Sequence, residues 1–183
     1  MQVFSRRGYQ LRTASFETRL AYTGFLTLVI PGVASLLALS LGRVGISPRA
    51  VAAYYRGGES EMTFPKQLWQ LVEVSHFHLF TIPVVLLILS HLLIATPLSS
   101  RARAGLTGAM FGGAALEMAG PWAVRYLAAG FAWVLVGSWL LLAGAVLASV
   151  AVSLAAMWGP ERWWSVWLAA SQLGNGAREE EKA

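Results

Sequence analysis

Four long apolar stretches, near residues 20–42, 68–96, 104–122 and 126–158, follow one another along the chain, with the charged residues gathered between them. Each approaches the roughly 20 residues a helix needs to cross the hydrocarbon core of a bilayer. A soluble helix would carry charge along one face of every turn. Here charged residues make up 13% of the chain and hydrophobic ones 56%, against about 25% charged in an ordinary globular protein. The expected fold is all-α: an integral membrane bundle of four helices. The third stretch fits lipid least, because it holds Glu117 and the small residues Gly105, Gly108, Gly112 and Gly113. It is expected to pack between the other helices, with Gly108 and Gly112 as a small-xxx-small contact.

The flanking segments divide the chain into a basic N-terminal part (1–19), the membrane domain (20–158) and a C-terminal part (159–183). The run 20–42 exceeds the apolar segment of about 7 to 15 residues in a cleavable signal, so it reads as a retained helix. After Gly159-Pro160 come Arg162, Trp163, Trp164 and Trp167. Tryptophan favours the headgroup level, which predicts a short interfacial helix there; a docking surface for a partner is the alternative. A polar tail ending in Glu179, Glu180 and Glu181 is expected to be disordered. Arg6, Arg7, Arg12 and Arg19 precede the first helix, and Arg101 and Arg103 follow the second. By the positive-inside rule both termini are cytoplasmic, as in a multi-pass protein of a bacterial inner membrane. The loop 43–67 and a turn at Gly120-Pro121 then lie outside.

There is no cysteine, which excludes disulfides, thiolate metal sites, iron–sulfur clusters and covalently attached haem. The net charge of +5 suits anionic headgroups and offers no nucleic-acid surface. No nucleophile–base pair or phosphate loop is present, so catalysis, if any, belongs to a complex of which this chain is a subunit.

The chemically able residues concentrate in the second helix, where Glu73, His76, His78 and His91 lie. Ionisable groups inside a membrane are costly and mark function by default. At about 100° per residue Glu73 and His76 share a face, His91 lies about 60° further round, and His78 points nearly opposite. His76 and His91 can therefore face one bundle interior, yet at about 1.5 Å per residue they are about 22 Å apart and cannot share a metal. Pro83 frees the carbonyl of Leu79 and predicts a kink beside His78. Glu117 returns to the depth of Glu73, so Glu73, His76 and Glu117 form a candidate metal set for zinc, manganese or iron, with Met118 adding a preference for copper. The same groups can relay protons or contact a quinone headgroup. The plainer readings are an ion pair between Glu117 and Arg125, and histidines hydrogen-bonded across helices.

Two histidines about four turns apart on one helix resemble the pattern of small membrane b-type cytochromes. That resemblance implies haem b held by His76 and His91; with no histidine on the other helices, Met110 and Met118 are the candidate second ligands, alongside water or a partner's side chain. His78 joins them as a cofactor candidate. The strings Tyr54-Tyr55-Arg56-Gly57 and Glu73-x-x-His76-x-His78 are also similar to a group of bacterial four-helix membrane proteins without assigned activity, which implies the architecture alone. The leading functional expectation is a haem- or metal-binding subunit of a respiratory or electron-transfer complex, in contact with lipid and with other subunits or further copies of itself. The alternatives are a cofactor-free assembly subunit and a component moving protons or a small solute.

Overall fold

Polar caps set where the helices begin. The computed structural model describes residues 10–58 and 62–160. Ser15 accepts a bond from the Thr18 amide and starts α1 (Phe16–Leu39), which runs on through a π-helical turn, Ser40–Val44. Ser47 and Pro48 start a short α2 (Pro48–Arg56), Gln67 and Gln70 cap each other at the start of α3 (Leu68–Ile94), and Ser99 starts α4 (Ser100–Trp122). Such caps satisfy amide groups that the first turn leaves without partners. A second π-helical turn, Ala123–Leu127, prolongs α4 before α5 (Phe131–Trp158).

The stretch Phe16–Val44, α3 and α5 are long and apolar enough to cross a membrane. α4 joins the same two ends as they do, and its 23 residues span about 35 Å at 1.5 Å per residue. The result is a four-helix membrane bundle, with α2 across the end that carries the long loop and the first and last described residues, 10 and 160, toward the other. We call these the loop end and the terminal end. The Trp-rich segment and tail of the sequence reading lie outside the described residues.

α5 is the hub, packing against α1, α2, α3 and α4, with its closest partnership to α4. Two glycines explain that intimacy. A Cβ on Gly113 would sit 3.1 Å from the backbone nitrogen of Leu142, and one on Gly120 would sit 2.7 Å from Leu135 Cδ1. The two backbones therefore touch along one seam, as small residues permit in membranes. Gly108 and Gly112, expected to make this contact, have nothing within 4 Å of a Cβ. They lie about 100° or more round α4 from Gly113 and are exposed, so α4 packs against α3 and α5 but leaves this side uncovered among the described residues.

Two clusters of buried side chains hold the ends. At the terminal end Leu11, Leu92, Leu93, Ala156 and Met157 pack together, and at the loop end Val51, Val124, Ala132, Leu135 and Trp139 do so. Arg103 donates to the Ile94 carbonyl at 2.9 Å, and Arg12 to the Gly159 carbonyl at 3.3 Å. Cations at helix C-termini satisfy free carbonyls and complement the helix dipole. α1 is held more lightly, with Leu26 its one buried residue among those described. An apolar groove of about 340 Å³ separates it from α3, with Leu142 and Val146 of α5 on its floor.

Helix limits differ from the sequence reading at one place that matters. Gly120 and Pro121 sit inside α4, and the chain reverses after Leu127, at Ala128–Gly130. The helix ends in the π-helical turn that follows, where the Arg56 guanidinium donates to the Val124 carbonyl at 3.0 Å.

Gly113→Ala should force the α4 and α5 backbones apart and cost about 1 to 3 kcal/mol as an overpacked site does. Gly112→Ala should change stability by less than about 0.5 kcal/mol, as expected of a surface position. Thermal unfolding of both variants in one detergent checks the difference.

Candidate functional site

The site begins with α2, a helix absent from the sequence reading although Ser47-Pro48 and Gly57 marked its two ends. Gly57 stops it with φ +82°, and a Cβ there would meet Pro65 Cδ at 2.8 Å, so only glycine fits. Val51 on its buried face keys α2 onto α5 and the end of α4. The returning loop is tied down where the Lys66 amide donates to the Tyr55 carbonyl at 3.0 Å. Arg125 Nε donates to the Lys66 carbonyl at 3.0 Å, and Lys66 Nζ lies 4.1 Å from the centre of the Tyr54 ring.

Beneath this lid is a cavity of about 320 Å³, bordered by Tyr54, Tyr55, Lys66, Glu73, Glu117 and Trp139. Glu117 is 8% exposed, and its Oε2 has no hydrogen-bond partner among the described residues. Its burial follows from the seam just described. Gly113, Glu117 and Gly120 stand at i, i+4 and i+7, one face of α4, so the glycines that let the backbones close also draw the carboxyl in between them. Tyr55 lies within electrostatic reach of Glu117. Burial, then Tyr54, then Glu117 push its phenol up from the ordinary tyrosine range, so it stays protonated and able to donate.

His78 stands on the other side of the carboxyl and interacts with it electrostatically. Its Nδ1 lies 2.7 Å from the Val74 carbonyl; the tautomer that donates there leaves Nε2 as an acceptor. His78 faces a groove of about 610 Å³ between α3 and α4, open to the bilayer and bordered by Ser75, Pro83, Met118 and Trp122. Ser75 and Met118 also border the polar cavity, so the two spaces share a wall. Trp122 Nε1 donates to Ser75 Oγ at 2.8 Å and fixes that wall.

The other candidates are placed differently. The inward stripe of α3 runs Leu71, Ser75, His78, Ile82, Leu86, Leu89 and Leu93, each buried or half-buried. His76 and His91 fall off it and are both exposed on the outside of the bundle, contrary to their expected inward pairing. In a helix apolar all round, hydropathy carries no signal for which side faces in. His76 stacks on Phe80 with ring centres 5.1 Å apart, and His91 Nδ1 lies 3.3 Å from the Leu87 carbonyl. Glu73 and Glu117 border one cavity, which His76 does not reach. Among the described residues no three of His, Asp or Glu gather as a metal site would need. Met110 is buried with its sulfur 3.5 Å from the Ser149 hydroxyl, which donates to the Ala145 carbonyl at 2.7 Å, while Met118 borders both spaces. Arg125 is not the counter-charge of Glu117. It lies two turns further along a continuous helix and bonds the Lys66 carbonyl instead.

A family model described as a transmembrane helical domain, Aq_1264_TM, matches residues 45–162. That is more than half of the chain, and the chain belongs to this family. The matched span runs from α2 to α5 and holds Tyr55, His78 and Glu117. No curated protein and no solved structure matches the chain.

A buried carboxyl oxygen without a partner is a cost the fold retains. Glu117→Gln should therefore keep the fold and leave stability unchanged or raised by about 1 kcal/mol. A lower melting temperature for the glutamine variant, measured in the same detergent, would contradict this account of Glu117.

Proposed function

We propose that this member of the transmembrane helical domain family is a subunit of a membrane electron-transfer complex, and that its site moves protons to and from a lipid-soluble quinone. The observation that carries the reading is the buried Glu117, whose Oε2 has no hydrogen-bond partner among the described residues and which interacts electrostatically with both Tyr55 and His78. A carboxyl kept in a dry seam, with a protonated phenol on one side and an imidazole on the other, can take up and release a proton. The groove at His78 is open to the bilayer and largely apolar, as a site for the ring of a membrane-dissolved carrier should be. In this reading His78 Nε2 accepts a proton from a hydroquinone hydroxyl, Glu117 passes it on, and the cavity under α2 releases it. The electrons leave to a partner subunit. With the termini cytoplasmic, as the arginine distribution indicates, the proton emerges on the outer face.

Haem b belongs to the same proposal in restricted form. His76 and His91 are exposed on the outside of the bundle, whereas Met110 is fully buried inside it. These residues do not fit a haem within one chain; its second ligand would come from another. A transition metal is likewise without a complete ligand set in one chain.

The test is to purify the protein in mild detergent, extract and quantify bound quinone, and record a reduced-minus-oxidised visible spectrum with a metal assay. Retained quinone that falls at least tenfold in both His78→Ala and Glu117→Gln is the expected result. Folded protein that retains no quinone and shows no redox bands would sink the reading in favour of a cofactor-free assembly role.

A further inference from the structure

The cavity beneath α2 holds charges of both signs, arranged by depth. Its floor carries the Glu117 carboxyl, 8% exposed, with an Oε2 that no described residue bonds. Glu73, on the second turn of α3, borders the same space and is exposed. Two cations complete the border: Lys66, half-buried, and Arg43, exposed in the π-helical turn that prolongs α1. Lys66 is engaged within the lid, its Nζ lying 4.1 Å from the centre of the Tyr54 ring. That contact shows what this wall favours, since the face of a tyrosine attracts an ammonium. Tyr55 meets Tyr54 edge-on, with ring centres 5.0 Å apart, and extends the aromatic wall.

A free anion in this space would face two carboxyls, and a simple cation would face a lysine and an arginine. A molecule carrying both signs meets neither objection. We propose that the cavity binds a small zwitterion, an ammonium and an anionic group joined by a few atoms, with the ammonium inward. The ammonium sits between Glu117 and Glu73 against the tyrosine wall and gives the unbonded Glu117 oxygen a donor, in a charge-assisted bond of the strong kind. The anionic end points outward to the Arg43 guanidinium, whose planar fork matches a phosphate or a carboxylate. At about 320 Å³ the cavity is at the small end of ligand sites, which run from roughly 300 to 1,000 Å³. It admits a headgroup-sized molecule and leaves acyl chains outside. Phosphoethanolamine has this chemistry, either free or as the headgroup of an aminophospholipid whose tails stay in the bilayer. The inference goes beyond the redox reading: it shares Glu117 with it and uses neither His78 nor the groove.

The test is calorimetric titration of the purified protein, in a mild detergent free of phospholipid, with O-phosphoethanolamine, inorganic phosphate and ethylammonium. O-Phosphoethanolamine should bind at least about tenfold more tightly than either half, and Glu117→Gln and Arg43→Gln should each weaken it about tenfold. Arg43 is exposed, so its variant tests the site without burdening the fold, and circular dichroism should show the parent's helix content in both. His78→Ala should bind the zwitterion as the parent does while losing quinone, which separates failure of this proposal from failure of the redox reading. In discs of mixed phosphatidylethanolamine and phosphatidylglycerol, native mass spectrometry identifies the source. Phosphatidylethanolamine retained by the parent and lost from Arg43→Gln assigns the lipid headgroup, and binding of the free compound alone assigns a soluble ligand. Neither form bound, phosphate or ethylammonium bound as tightly as the zwitterion, or binding left unchanged by either substitution would each overturn the proposal.

Discussion

The close contact of α4 with α5 is the constraint from which most else follows. Lipid tails are as apolar as leucine, so helices in a membrane gain little from hiding apolar surface and must gain from packing. Gly113 and Gly120 provide that packing by removing the side chains that would hold two backbones apart. With α4 so held, α5 becomes the element that every other helix leans on. The loop-end cluster and α2 then have a fixed surface to cap, and the cavity beneath α2 acquires rigid walls.

The same contact makes the site. A glutamate at position 117 on any other face of α4 would point to lipid, headgroups or water and behave as an ordinary carboxyl. Four residues after one seam glycine and three before the other, it is carried into the interface, where its Oε2 has no hydrogen-bond partner among the described residues. Of the cations at this end, Lys66 lies over Tyr54, Arg125 bonds the loop backbone and Arg56 bonds the end of α4, while Arg43 borders the same cavity as Glu117. Tyr55 and His78 are electrostatic neighbours of the carboxyl.

Much of the architecture was legible in the amino-acid order, because about 20 apolar residues between charges admit few alternatives. The all-helical membrane bundle and the small-residue character of α4 could be read directly. What could not be read was azimuth. In α3 nearly every residue is apolar, so the periodic contrast that tells inside from outside in a soluble helix is missing, and His76 was expected where His78 stands. Glu117 and Arg125 illustrate a second limit. Gly-Pro is a turn signal in water, but inside α4 it is absorbed by a π-helical turn, and the supposed start of a new helix is the end of the old one. α2 went unseen for a third reason: nine residues with a modest apolar face are quiet beside four membrane-length runs, and its cap residues were the only mark it left.

The light attachment of α1 has a consequence for what counts as the intact protein. The family match begins at residue 45, after α1, and α1 touches the rest chiefly along one side of α5. Between α1 and α3 the groove floored by Leu142 and Val146 is left for hydrocarbon to fill. An acyl chain lying there is a structural filler contributed by the solvent, in the way ordered water completes a soluble core. The bundle is then a composite of polypeptide and lipid, and the length and fluidity of the surrounding chains become parameters of its packing, adjustable by the cell without any change of sequence.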